Sequence, residues 1–251
     1  MPKYIRRAFS PLFLLALWEV AARLNWIDHR FFPAPSLIFR ELWSQLITGN
    51  LGSDVAVSLL RLACGLLIGG IPAMIIGILM ARSRLAHDLF HPLVVAGYPV
   101  PKIAILPLII LMFGLGEWSK IVIIAAGTFF LMALSVLEGV SRIEKRYFSI
   151  ARLLRLSAAE EWRSIIIPAA MPALLHGLKL SVGSGFMLLV ASEFFASHSG
   201  IGYRIWASWE NFNITALYGG LFTIMLLAIG LQAGIETIEK RALPWRISEE
   251  E

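Results

Sequence analysis

Residues 62–81 read LACGLLIGGIPAMIIGILMA, twenty residues without a charge, closed by Arg61 at one end and Arg82 at the other. Wound as an α-helix, they extend about 30 Å, the thickness of a bilayer's hydrocarbon core. Residues 211–235 form a second such run of 25 residues, and residues 121–137 a third of 17. The composition agrees, since 58% of the 251 residues are hydrophobic and 16% charged, against about 45–50% and about 25% in soluble domains. A water-soluble globular enzyme does not fit these proportions. The single cysteine, Cys64, rules out a disulfide framework and any multi-cysteine metal site.

Three further stretches are apolar but interrupted. Residues 88–114 contain Lys102 and the prolines Pro92, Pro99, Pro101 and Pro107; residues 170–195 contain His176, Lys179 and Glu193; residues 9–24 carry Glu19 and Arg23. With 57–81, 119–140 and 213–238, they make about six expected spans of an all-α integral membrane protein. The first reads as an uncleaved helix, because no Ala-x-Ala type of cleavage site follows it. Trp18 and Trp26 suit its anchoring at an interface.

Basic residues orient the bundle. Lys3, Arg6, Arg7, Arg82, Arg84, Arg142, Lys145, Arg146, Arg152, Arg155, Arg163, Lys240, Arg241 and Arg246 fall on one side of it. Only Arg30, Arg40 and Arg204 fall on the other. The richer side is cytoplasmic by the positive-inside rule, which places both termini in the cytoplasm. The net charge of +5 then needs no nucleic acid to explain it. On the outer side, Ser36 is a candidate cap for a helix over 36–48. Leu37, Phe39, Leu42, Trp43, Leu46 and Ile47 largely line one face of it, the pattern of a helix lying along the membrane surface.

Residues 142–168 are the least membrane-like interior stretch. Their periodicity predicts two short helices, 144–156 and 158–167. Ser157 and Glu160 have capping-box spacing at the start of the second, and Pro168 is expected to stop it. Such helices are marginal alone, so Leu153, Leu154, Leu156 and Trp162 are expected to lean on something. Within the spans, an ionisable group costs at least about 2.5–3.5 kcal/mol and faces a cavity or a partner. Pro101, Lys102, Lys179, Ser184 and Glu193 are therefore candidates for a translocation pathway, Lys102 first among them. Lys179 and Glu193 are about 21 Å apart along one helix and cannot pair with each other. Headgroup placement of Glu193, snorkelling of Lys179 and simple packing of His176 stay open. Gly65, Gly69, Gly70, Ser181, Gly183, Ser184 and Gly185 read as close helix contacts. No Gly-x-x-x-x-Gly-Lys-[Ser/Thr] phosphate loop occurs, so no cofactor or catalytic residue is assigned to this chain. A stand-alone secondary transporter or channel is the alternative. Against it stand the absence of a convincing internal repeat and of carboxylates in 62–81, 121–137 and 211–235.

The inner loop resembles the signature loop of permease subunits of ABC importers, which reads Glu-Ala-Ala, three residues, Gly, nine residues, Ile-x-Leu-Pro. Here Ser149-Ile150-Ala151 stands in the first place, Arg155 in that of Gly, and Ile165-Ile166-Ile167-Pro168 at the end. Pro99-Val100-Pro101-Lys102-Ile103-Ala104-Ile105-Leu106-Pro107-Leu108, Phe113-Gly114-Leu115-Gly116-Glu117 and Ser119-Lys120-Ile121 are similar to the nitrate, taurine, alkanesulfonate and bicarbonate branch. So are Phe32-Pro33-Ala34-Pro35-Ser36 and Ser199-Gly200-Ile201-Gly202-Tyr203.

The resemblance implies a type I ABC importer permease in a bacterial plasma (inner) membrane, importing a small anion or an organosulfonate by alternating access. It implies a homodimer of permeases, two cytoplasmic ABC ATPases carrying ATP and Mg, and an extracytoplasmic solute-binding protein. The implied ATPase-coupling residues are Ala151, Arg152, Leu153, Leu154, Arg155, Ser157, Glu160, Trp162, Ile165 and Pro168. Arg155 in the glycine place implies either a more helical joint or a matched, non-standard ATPase. Residues 239–251 are expected to form a cytoplasmic tail with an acidic end, Glu249, Glu250 and Glu251.

Overall fold

The computed structural model describes residues 3–47 and 49–243. The acidic end of the tail lies outside them, as do the side chains of residues 3–8 and of Lys145, Phe148, Arg152 and Ala158. In chain order the helices are α1 (Lys3–Arg23), α2 (Pro35–Ile47), α3 (Leu51–Arg82), α4 (Arg84–Gly97), α5 (Leu106–Phe113) and α6 (Glu117–Ser141). There follow α7 (Lys145–Leu153), α8 (Ala158–Glu161), α9 (Ile167–Ala196), α10 (Ile201–Glu210) and α11 (Ile214–Ala242). No strand occurs among the described residues.

The charge-free runs 62–81 and 121–137 lie within long helices, and 211–235 does so from Ile214 onward. The helices Leu51–Arg82, Glu117–Ser141, Ala159–Ala196 and Ile214–Ala242 are long and apolar enough to cross a membrane. The proline-interrupted stretch 88–114 is not one straight rod. α4 and the pair formed by a 3₁₀ turn (Lys102–Ile105) with α5 are bent by 89° about residues 98–101, and count as a fifth span only if taken together. Pro99 and Pro101 explain the break, since each lacks an N–H for the helical ladder. α1 does not join this group, because every 18-residue stretch of it includes at least three charged residues.

Contacts divide the chain into two units. One comprises residues 1–58 and 198–226. There the Glu19 carboxylate accepts the Ser36 N–H at 2.9 Å, the Ser36 hydroxyl at 2.8 Å and the Arg23 Nε–H at 2.6 Å. Ser36 is therefore not the cap expected for α2. The helix starts one residue earlier at Pro35, whose missing N–H is no loss in a first turn, and Ala34 accepts the Leu37 N–H at 2.9 Å. α10 owes its place to α3. Asp54 accepts the Gly200 N–H at 2.8 Å and Ser58 the Ile201 N–H at 2.9 Å, satisfying two donors that a helix start leaves unpaired. Asp54 also accepts the Arg204 Nε–H at 2.9 Å.

The other unit comprises residues 59–197 and 227–251. α3 approaches α6 so closely at Gly65 and Gly69 that a Cβ would overlap the Ile124 side chain and the Ala125 backbone. Small residues are what allow helices to approach this far in a bilayer, where hydrocarbon gives no hydrophobic drive. Gly70 and Gly183 do not share this role, since a Cβ at Gly183 would meet nothing and one at Gly70 only Thr128 at 3.7 Å. Buried Ala73, Ile78, Ala133, Val136, Ile166 and Ala170 lie in one apolar core. Pro168 does not stop the helix that begins at Ala158. A π-turn (Trp162–Ile166) leads directly into α9, so Pro168 lies inside one continuous helix over Ala159–Ala196, just after a π adjustment of the kind that accommodates a proline in a helix.

Candidate functional site

The inner loop begins with α7, which ends in a Schellman turn. The Leu156 N–H donates to the Ala151 carbonyl at 3.0 Å, and Arg155 takes the left-handed conformation with φ of +51°. The more helical joint considered for Arg155 is therefore not formed. The chain keeps the backbone that glycine suits and places an arginine in it. A non-glycine residue in this region costs about 1–2 kcal/mol. Arg155→Gly is expected to stabilise the loop by about 1 kcal/mol without altering its course. Hydrogen exchange would report this as slower exchange of the Leu154 and Leu156 amides, and faster exchange would contradict it.

Ser157 and Glu160 form the expected capping box. Ser157 donates its hydroxyl at 2.7 Å and its N–H at 2.8 Å to the Glu160 carboxylate, while the Glu160 N–H reaches the Ser157 hydroxyl at 3.3 Å. These two donations, the hydroxyl first, hold the Glu160 carboxyl below the ordinary carboxylate pKa. Ala151 and Ile166 are buried, Ile165 and Pro168 half-buried. Leu153, Leu154 and Trp162 are 81%, 66% and 37% exposed, leaving an apolar surface on the loop. Next to the box, Glu161 is ion-paired with Arg82 at the end of α3, 79 residues away in sequence. The spacing of the loop gave no sign of this pair.

Of the pathway candidates, Pro101, Lys102 and Ser184 line one cavity of about 300 Å³ with Tyr98, Phe130, Met187 and Leu188. Lys102 donates to the carbonyls of Gly97 at 2.7 Å and Tyr98 at 2.8 Å, and stands 4.5 Å over the Phe130 ring. A cation on the last carbonyls of a helix is favoured by the helix dipole, so Lys102 holds the end of α4 at the break as well as lining the cavity. Lys179 and Glu193 do not line it. Lys179 pairs with Glu239 of α11, and Glu239 borders a second cavity of about 620 Å³ with Glu138, Arg142 and His176. His176 is exposed in this cavity.

Glu193 is fully buried within the protein, three residues before the end of α9 at Ala196. It accepts the Arg61 Nη1–H at 2.7 Å, while Arg61 Nε and Nη2 reach the two Glu117 oxygens at 2.6 Å each. Arg61, read from the sequence only as the end of a span, is the centre of this cluster. Lys120, also buried, donates to the carbonyls of Leu115 and Gly116 at 2.9 and 3.0 Å. Among the described residues no group of three or more His, Cys, Asp and Glu side chains is placed to hold a metal ion.

Residues 73–242 match the family described as binding-protein-dependent transport system inner membrane component. The chain belongs to this family. The permease is 30% identical to the putative aliphatic sulfonates transport permease protein SsuC of Bacillus subtilis, over 98% of this chain and 90% of that one. It is also 30% identical to the taurine transport system permease protein TauC of Escherichia coli, over 92% and 86%. A putative ABC transporter permease protein of Methanocaldococcus jannaschii is 30% identical over 94% and 90%. An inward-facing structure of the MetNI methionine ABC transporter matches with a TM-score of 0.60 at 17% identity, over 84% of this chain and 98% of that one. The fold is that of an ABC importer permease, all helical. The permease is a multi-pass membrane component of a binding-protein-dependent importer, which sets aside the stand-alone transporter or channel. Membership brings an ATPase, a solute-binding protein and permease pairing as general partners.

Proposed function

We propose that this permease lies in a plasma membrane with both termini in the cytoplasm and that two copies form the translocation pathway. Residues 142–168 dock on a cytoplasmic ATPase, one for each copy, which carries ATP and Mg. The observation that carries this reading is the exposure of Leu153, Leu154 and Trp162 on a segment made rigid by the Schellman turn and the capping box. An apolar surface on a rigid loop outside the spans suits a protein partner. An extracytoplasmic binding protein delivers the solute, and ATP-driven movement of the loops alternates the access of the cavity. α2 lies along the outer surface with Leu37, Phe39 and Trp43 exposed toward lipid.

The solute is a small organosulfonate or related anion. The sulfonate and taurine relatives support this, and so does a largely apolar cavity with one lysine in its wall. Lys102 uses two of its three donors on carbonyls, which leaves one N–H for an anionic head beside the apolar Met187 and Leu188.

The test is a mild-detergent pull-down of the tagged chain from its native membrane. A stoichiometric ATPase bearing a phosphate loop is expected, and it is lost when Arg152, Leu154 and Trp162 are together changed to alanine. A well-folded chain that comes down alone would overturn the docking reading. In the intact complex, ATP hydrolysis stimulated by binding protein loaded with an aliphatic sulfonate supports the solute class, and stimulation by other solutes only refutes it.

A further inference from the structure

On α4 the sequence runs His87-Asp88-Leu89-Phe90-His91, and neither the loop nor the cavity uses it. Residues four apart on a helix lie one above the other on the same face. The two imidazoles do so here, with ring centroids 4.4 Å apart and planes inclined by 16°. Two histidines at this spacing on one helix are the ligand pair of the His-Glu-x-x-His zinc motif, and here aspartate stands where that motif has glutamate. Two Zn–N bonds of about 2.0–2.1 Å join nitrogens up to about 4.2 Å apart. Rings already this close converge on one ion by rotation about side-chain bonds.

Two further observations fit. Asp88 Oδ1 stands 3.6 Å from His87 Nδ1. This is longer than a hydrogen bond, but a small side-chain rotation lets the carboxylate accept the Nδ1–H, the usual device for orienting a metal-bound imidazole, and leaves Nε2 for the ion. The His87 side chain is 44% exposed and lies one turn from the start of α4, close in sequence to the charged Arg82, Arg84 and Asp88. The scaffold is fixed, since Ser83 caps α4 by accepting the Ala86 N–H at 3.3 Å. With no three-residue cluster among the described residues, water completes the coordination, and the arrangement is a binding site rather than a catalytic centre.

We propose that His87 and His91 bind one divalent transition-metal ion of the class that prefers imidazole, such as Zn²⁺, Ni²⁺ or Cu²⁺, with Asp88 orienting His87. Occupancy ties adjacent turns of α4 together. The proposal is independent of the transport reading.

The experiment titrates the full-length, untagged chain in detergent with ZnCl₂ by calorimetry, and records Cu²⁺ electron paramagnetic resonance. One equivalent of ion and hyperfine coupling to two nitrogens are expected. His91→Ala should lower Zn²⁺ affinity at least tenfold and leave one coupled nitrogen. Asp88→Asn should lower it about tenfold with both nitrogens kept, and His176→Ala should change nothing. Undiminished affinity in the His87→Ala/His91→Ala variant would overturn the proposal, as would failure to bind millimolar Zn²⁺. The metal-free circular dichroism of each variant must match the parent, and His91→Gln replaces any alanine variant that does not.

Discussion

Glu193→Ala is expected to destabilise the permease by about 3–5 kcal/mol, the cost of removing one partner from a buried ion pair. Arg61 and Glu193 are 1% and 0% exposed, and their 2.7 Å contact joins α3 to α9. Without Glu193, the buried guanidinium loses its buried carboxylate partner on α9, while Glu117, whose side chain is 58% exposed, stays. The loss measures an uncompensated buried charge more than the worth of the pair itself, because desolvating two ions offsets much of their attraction. The double variant Arg61→Met/Glu193→Leu should therefore recover most of the stability. Unfolding of single and double variants in detergent, followed by tryptophan fluorescence, separates the outcomes. If the double variant is as unstable as Glu193→Ala, the cost comes from lost packing and the buried-charge account fails.

Reversing one charge of the Arg82–Glu161 pair is expected to uncouple the importer. Glu161 lies between the capping box at Ser157 and the π-turn that leads into α9, and Arg82 ends α3. On the proposed docking of the loop, a push from the ATPase reaches α9 through the chain and α3 only through contacts such as this pair. Glu161→Arg should leave the ATPase bound, since the exposed Leu153, Leu154 and Trp162 are unchanged, while lowering solute uptake at least tenfold. Arg82→Glu combined with Glu161→Arg should restore uptake. An exposed pair contributes only about 0–1 kcal/mol to stability, so little change in unfolding is expected. Uptake that is unaffected by the single reversal, or not restored by the swap, would refute the linkage. Loss of the ATPase from Glu161→Arg would make Glu161 a docking residue instead.

Much of the loop was readable because its signals are local. The Ser157–Glu160 box depends on residues three apart, and it formed as expected. Arg155 was recognised as standing in a glycine place, but its effect on the backbone was not. Whether a side chain accepts φ of +51° depends on the turn around it, and the carbonyl of Ala151 settles that turn. Pro168 misled for a related reason. Proline removes one N–H from a helix, but a π-turn just ahead of it lets the helix over Ala159–Ala196 run on through Pro168.

Sequence alone determined the membrane character, the long apolar helices and the family, because hydropathy over twenty residues and the order of motifs are properties of the chain itself. Only the tertiary structure decided which charges meet. Arg61 finds Glu193 132 residues away and Glu117 at 56; Lys179 finds Glu239 at 60. A charge in an apolar span announces that it needs a partner, since burial without one is too costly. Which partner it takes is set by how α3, α6, α9 and α11 pack, and that packing turns on glycines such as Gly65 and Gly69, whose close approaches appear only once the helices are side by side.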